Sequence, residues 1–185
     1  MIEEILAEAD DKMKKALEAL RRELVAIRTG RATPGLVDHL LVDYHSALIP
    51  LNQLANISAP EVRVILIQPW DRSSLHTIEK AILKSDLGLN PNNDGNVIRL
   101  VLPQLTEERR KELVRVVHKK LEEGRVAVRN VRRDAVEHLK KLEKEKHISA
   151  DDTRRTQEKL QKVTDRYVID VDRLGEVKEA ELMEV

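Results

Sequence analysis

The sequence predicts an α+β protein in which a long three-helix bundle is interrupted by a small mixed β/α domain. Three observations carry this expectation. All six prolines lie between Pro34 and Pro103, and four of the six glycines lie between Gly30 and Gly95, so helix breakers concentrate in the middle of the chain. Both flanks repeat apolar residues at alternating steps of three and four, the spacing of one helical face. Only the middle block has β-branched apolar runs bounded by turn residues.

The first flank reads as one amphipathic helix with Ile2, Leu6, Ala9, Met13, Leu17, Leu20, Leu24 and Ile27 on its stripe, running out near Thr29-Gly30, where glycine suits a left-handed cap. Thr106 is placed to cap the next helix, with Glu107 and Glu108 at its positive end. Its stripe is Val114, Val117, Leu121, Val128, Val131, Ala135, Leu139 and Leu142. Continuous to His147, it would be about 60 Å long at ~1.5 Å per residue. Ser149-Ala150-Asp151-Asp152 resembles a capping box, and Leu160, Val163, Tyr167, Val171 and Leu174 form the third stripe.

No stripe is wide enough to be buried alone, so three such helices of comparable length bury one another as a bundle. The first helix must then lie beside the other two although the middle block separates them in sequence. This divides the chain into a discontinuous bundle of residues 1–30 and 106–185 and an inserted domain of residues 31–105. The chain crosses between them twice, and Gly30, Arg31, Pro34, Pro103, Gln104 and Leu105 are the candidate hinge.

Within the insert, residues 36–44 and 62–67 read as strands, the second following a loop that contains Pro60. Ser73 or Ser74 can cap a short helix facing inward with Leu75, Ile78, Ala81 and Ile82. Asn92-Asn93-Asp94-Gly95 is a hairpin turn leading into a strand over 97–102. Trp70, after Pro69 at a strand end, is expected to pack in this domain.

Composition excludes much. The 185 residues are 36% charged and 2% aromatic, contain neither Phe nor Cys, and balance 33 basic against 33 acidic side chains. Without cysteine there is no disulfide scaffold, thiol nucleophile or Cys-based metal site. Zero net charge argues against a polycation that coats nucleic acid indiscriminately, so a nucleic-acid function must sit in a local patch. No apolar run approaches the ~18 residues of a membrane span, and Met-Ile-Glu-Glu lacks the bases of a signal peptide; a cytoplasmic protein is expected. Phosphate-binding loops, nucleophile elbows and His-Glu-x-x-His are absent. The six histidines never stand three or four apart, which removes a local helical metal clamp. An enzyme is not expected, nor a cofactor or metal.

One charge feature stands out. Residues 109–133 hold ten bases and three acids. At about 100° per residue, Arg125, Arg129, Arg132 and Arg133 fall within roughly a quarter-turn of one another beside the apolar stripe. Arg28 and Arg31 end the first helix without nearby acids in sequence. Arginine forks bind phosphate bidentately, so such a row can track a phosphate backbone. Scattered rings (Tyr44, Trp70, Tyr167) disfavour base-stacking modes and leave shape and phosphate recognition of folded RNA open.

Four segments carry a family resemblance: Ile-Arg-Thr-Gly-Arg-Ala-Thr-Pro (27–34), Ser-Asp-Leu-Gly-Leu-Asn-Pro (85–91), Leu-Thr-Glu-Glu-Arg-Arg-Lys-Glu-Leu (105–113) and Val-Ala-Val-Arg-Asn-Val-Arg-Arg-Asp-Ala (126–135). Together with the order of elements they make the chain resemble the bacterial ribosome recycling factors over its whole length. Where that family usually has Tyr-Tyr-Gly in its first hairpin, this chain has Tyr44-His45-Ser46, which puts the turn geometry in question.

The resemblance implies an L-shaped two-domain protein with a β/α/β short arm. It implies a monomeric factor that binds the 70S ribosome on its large subunit, across the A and P sites against 23S rRNA. With elongation factor G and GTP it would split the post-termination ribosome, with no part for DNA or a membrane. The matched motifs place Arg129 and Arg132 at rRNA-contacting positions, with Arg28, Arg31 and Arg110 in neighbouring matched segments. The GTP belongs to the partner, so no nucleotide site is needed. A second reading, a helical adaptor holding a small protein-binding domain, accounts for the composition equally well. It does not account for acids avoiding the 125–133 edge, and it predicts no salt-dependent RNA affinity.

Overall fold

The computed structural model describes residues 1–184. In chain order the elements are α1 (Ile2–Val25), β1 (Leu41–Tyr44), β2 (Ala47–Pro50), β3 (Ala55–Glu61), β4 (Val64–Pro69), α2 (Leu75–Lys84), β5 (Pro91–Asn93), β6 (Ile98–Val101), α3 (Glu107–Lys144) and α4 (Ala150–Met183). They form two compact units. One comprises Met1–Thr29 and the chain from Glu107 onward, the other Gly30–Thr106.

In the first unit α1, α3 and α4 each pack against the other two, which makes a three-helix bundle. A five-residue connection reverses the chain between α3 and α4. Helix α1 runs antiparallel to α3: Ile5 and Ala9 share a core cluster with Leu139 and Leu142, whereas Glu23 pairs with Lys120 at 3.5 Å. Against α4, Asp10 accepts hydrogen bonds from the Tyr167 hydroxyl at 2.9 Å and from Arg166 at 3.1 Å. The capping box is present, with Ser149 Oγ accepting from the Asp152 N–H and the Asp152 carboxylate from the Ser149 N–H. These bonds hold the Asp152 carboxyl below its ordinary pKa.

Several features depart from the sequence reading. Helix α1 ends at Val25, where the Ile27 N–H bonds to Leu24 O and tightens the exit, so Gly30 turns a linker instead of capping the helix. The helices are unequal: α1 has 24 residues against 38 in α3 and 34 in α4. Two glycines lie inside long helices as contacts. A Cβ on Gly124 would stand 2.8 Å from Leu20, and one on Gly175 would stand 2.4 Å from Leu121. Thr153, Thr156 and Thr164 are buried on α4 because their hydroxyls donate to carbonyls one turn back, at Ser149, Asp152 and Leu160.

The second unit pairs β1 with β2 and builds an antiparallel sheet in the order β3-β4-β6-β5. Val37, Val42, Leu51, Ile65, Ile67, Ile78, Ile98 and Leu100 form its core. The expected strand over 36–44 shortens to Leu41–Tyr44. Pro34 fixes the backbone of a 3₁₀ turn whose Pro34 carbonyl accepts from the Val37 and Asp38 N–H groups. The expected loop around Pro60 is β3. It lies at the sheet edge with an irregular register between Ser58 and Glu61, a place where proline's missing donor is tolerated.

Asp71, not Ser73 or Ser74, supplies the cap before α2. Its carboxylate accepts from the Ser73 N–H and hydroxyl and from the Tyr44 hydroxyl. Trp70 is 69% exposed, contrary to its expected packing role. The β1–β2 turn keeps its geometry without glycine: His45 (φ 50°) and Ser46 (φ 66°) are both left-handed, as a two-residue type I′ connection requires.

Candidate nucleic-acid interface

Helix α3 positions Arg125, Arg129, Arg132 and Arg133 along one edge, but their surroundings differ. Arg125 is three-quarters buried. It donates from Nε and Nη2 to Asp172 Oδ1 of α4, at 3.0 and 2.6 Å, and from Nη1 to Glu122 at 3.2 Å. These carboxylates, Asp172 foremost, hold its guanidinium more firmly charged than an isolated arginine. The expectation that no acid approaches this edge is therefore corrected at Arg125: Asp172 arrives from another helix, and Glu122 stands three residues earlier.

The other three are engaged more lightly: Arg129 and Arg133 are exposed, and Arg132 is partly buried. Arg129 is half-exposed with Glu122 no closer than 3.9 Å. Arg132 donates from Nη1 to Gln161 Oε1 of α4 at 2.8 Å, and Arg133 donates from Nη2 to Asn130 Oδ1 at 2.9 Å. Both acceptors are neutral amides, so neither cancels the guanidinium charge.

Upstream on α3, Arg109 pairs with Glu112 and Lys111 with Glu107. Arg110 is half-buried. Arg28 and Arg31 are exposed near the end of the α1 segment and the start of the second unit. The six candidate hinge residues all belong to the second unit. Gly30 (φ 78°) sits with Leu105 Cγ 3.2 Å from where its Cβ would be, a contact and a conformation that both favour glycine. Two residues in, the Ala32 N–H donates to Val62 O. On the way out, the Leu102 N–H donates to Arg63 O. The incoming and outgoing segments are thus tied to one turn between β3 and β4. Pro34 starts the 3₁₀ turn, and Pro103 and Gln104 are exposed.

All six histidines are exposed, and among the described residues no group of three His, Asp or Glu could hold a metal ion. None of the described helices is long and apolar enough to cross a membrane. Sequence reasoning missed Gln161 and Asp172. Both lie on α4, and no local pattern signals a partner reached across a helix pair.

The fold is thus a three-helix bundle with an inserted sheet domain and a row of arginines along one edge of α3. The model of the ribosome recycling factor family matches residues 20–183. The chain is 60% identical to the ribosome-recycling factor of Heliobacterium modesticaldum and 57% identical to that of Dehalococcoides mccartyi, over the full length of each protein. A solution structure of a ribosome recycling factor matches with a TM-score of 0.77 at 48% identity, covering 100% of this chain and 98% of the other. Models for the T. thermophilus ribosome recycling factor, with E. coli elongation factor G bound to the E. coli post-termination complex, give 0.66 at 49% identity over both full chains. The chain belongs to the ribosome recycling factor family. It is a non-enzymatic factor of protein biosynthesis.

Proposed function

We propose that this protein recycles ribosomes after termination in the cytoplasm. It binds the large subunit at the A and P sites and, with elongation factor G and GTP, splits the post-termination ribosome and frees it from mRNA. The observation that carries this reading is the likeness, over the full length of both chains, to a T. thermophilus factor placed with elongation factor G on a post-termination complex.

The bundle is the rRNA-binding arm. Arg129, Arg132 and Arg133 meet phosphate from the α3 edge, with Arg28, Arg31 and Arg110 as further cations. Arg125 chiefly locks α3 to α4 through Asp172. A guanidinium whose acceptor is a neutral amide keeps its full charge for a phosphate, whereas one bonded to two carboxylates does not. The crossings at Thr29–Gly30 and Thr106–Glu107 serve as the joint through which elongation factor G moves the inserted domain.

Light scattering of post-termination 70S ribosomes tests the function. A drop that requires this protein, elongation factor G and GTP together is expected. No drop with matched ribosomes and folded protein would move the reading to a helical adaptor.

A further inference from the structure

Gln161 stands between two charged groups of fixed polarity. Its carbonyl oxygen accepts from Arg132 Nη1 at 2.8 Å, and its amide donates to Asp165 Oδ1 at 2.7 Å, one turn further along α4. Arginine can only donate and a carboxylate can only accept, so both neighbours enforce the same amide orientation. Arg132 Nε is buried without a partner among the described residues, which embeds the stem of the side chain in the bundle surface. Asp165 steadies the amide from the far side without itself forming an ion pair with Arg132.

We propose that Gln161 is a positioning residue for Arg132: it fixes the guanidinium across the α3–α4 groove while leaving its positive charge intact for an RNA phosphate. This rests on the reading of Arg132 as an rRNA contact. The contrast with Arg125 supplies the logic. At Arg125 the acceptor from α4 is Asp172, and the charge is spent inside the protein. At Arg132 the acceptor from the same helix is an amide, and a fork ordered in advance loses less freedom when it binds. Arg133 also has an amide acceptor, Asn130, but that one stands three residues earlier on α3 itself.

The test measures affinity of the full-length protein for isolated large subunits across a potassium chloride series, with melting temperatures checked for each variant. Gln161→Leu is expected to weaken binding by about two- to tenfold, the worth of ordering one long side chain at an interface. Its dependence on salt should not change, because the charge remains. Gln161→Glu places a carboxylate against Arg132. It should lower the slope of log affinity against log salt by up to about 0.7–0.9, the loss of one phosphate contact. In an Arg132→Ala background, Gln161→Leu should add nothing.

Wild-type binding by a folded Gln161→Leu variant, alongside weakened Arg132→Ala, overturns the positioning role and leaves the RNA reading intact. An equal loss from Gln161→Leu with and without Arg132 also overturns it, since the effect would not pass through the arginine. Wild-type affinity and slope for Arg132→Ala itself would bring down the RNA reading of that residue and the proposal with it.

Discussion

Gly175 of α4 lies so close to Leu121 of α3 that a Cβ on the glycine would stand 2.4 Å from Leu121 Cδ1 and 3.2 Å from Cδ2. Leu121 is itself buried, so its side chain has little room to retreat. Overpacking of this kind costs about 1–3 kcal/mol, while replacing a mid-helix glycine by alanine returns about 1 kcal/mol of helix propensity. Gly175→Ala is expected to be net destabilising in urea unfolding. In a Leu121→Ala background the same change should stabilise, because only the propensity gain survives. Gly124→Ala, whose Cβ would meet Leu20 at 2.8 Å, should be milder.

The β1–β2 turn carries two left-handed residues that are not glycine, His45 and Ser46. That conformation costs an L-residue about 1–2 kcal/mol, partly offset on substitution by the larger entropy of glycine in the unfolded chain. Ser46→Gly should raise stability by about 0.5 kcal/mol. Ser46→Val, β-branched at positive φ, should lower it. Urea unfolding followed by circular dichroism checks both signs.

Asp71 links the hairpin to the start of α2, accepting from Ser73 and from the Tyr44 hydroxyl, and those bonds hold its carboxyl below the ordinary value. With a depressed folded pKa, its contribution is complete above the unfolded carboxylate pKa of about 3.9. It fades as pH falls through the lower folded value. Stability of the second unit should therefore drop on acidification below that range. Asp71→Asn should flatten the drop while lowering stability at neutral pH, which urea unfolding of both proteins over an acid-to-neutral pH series would check.

Ala32 and Leu102 lie outside any helix or strand, yet each donates to the turn at Val62 and Arg63, at 2.6 and 2.7 Å. Their amides should exchange with solvent as slowly as those of β4. Fast exchange at either position would place the joint deeper in the linkers than Thr29–Gly30 and Thr106–Glu107.

The bundle was legible because its signal is periodic and local. Val117, Leu121, Val128, Leu139 and Leu160 are buried where the stripes put them. What escaped was non-local. Gly124 and Gly175 look like helix breakers until the facing leucines are known. Thr156 and Thr164 are the local exception: they read as polar surface positions, but their hydroxyls donate to carbonyls four residues back in the same helix. The strand over 55–61 hid behind Pro60, which only an edge position allows. At the candidate interface the row of arginines on α3 could be read from spacing alone. Which of them keeps its charge could not, because Asp172 and Gln161 reach α3 from α4, some 30 to 50 residues away in sequence.

In the proposed function, contact of Arg129 and Arg132 with rRNA phosphates, with Arg125 committed to the bundle, carries large-subunit binding. The most direct test is the salt dependence of large-subunit binding by wild type, Arg129→Ala/Arg132→Ala and Arg125→Ala. The double variant is expected to bind more weakly and to lose up to about 1.4–1.8 from the slope, at 0.7–0.9 per phosphate. Arg125→Ala should keep the wild-type slope and lose stability instead, by about 1 kcal/mol or less for a partly exposed pair. A double variant with wild-type affinity and slope, or an Arg125→Ala variant that alone loses the slope, would contradict it.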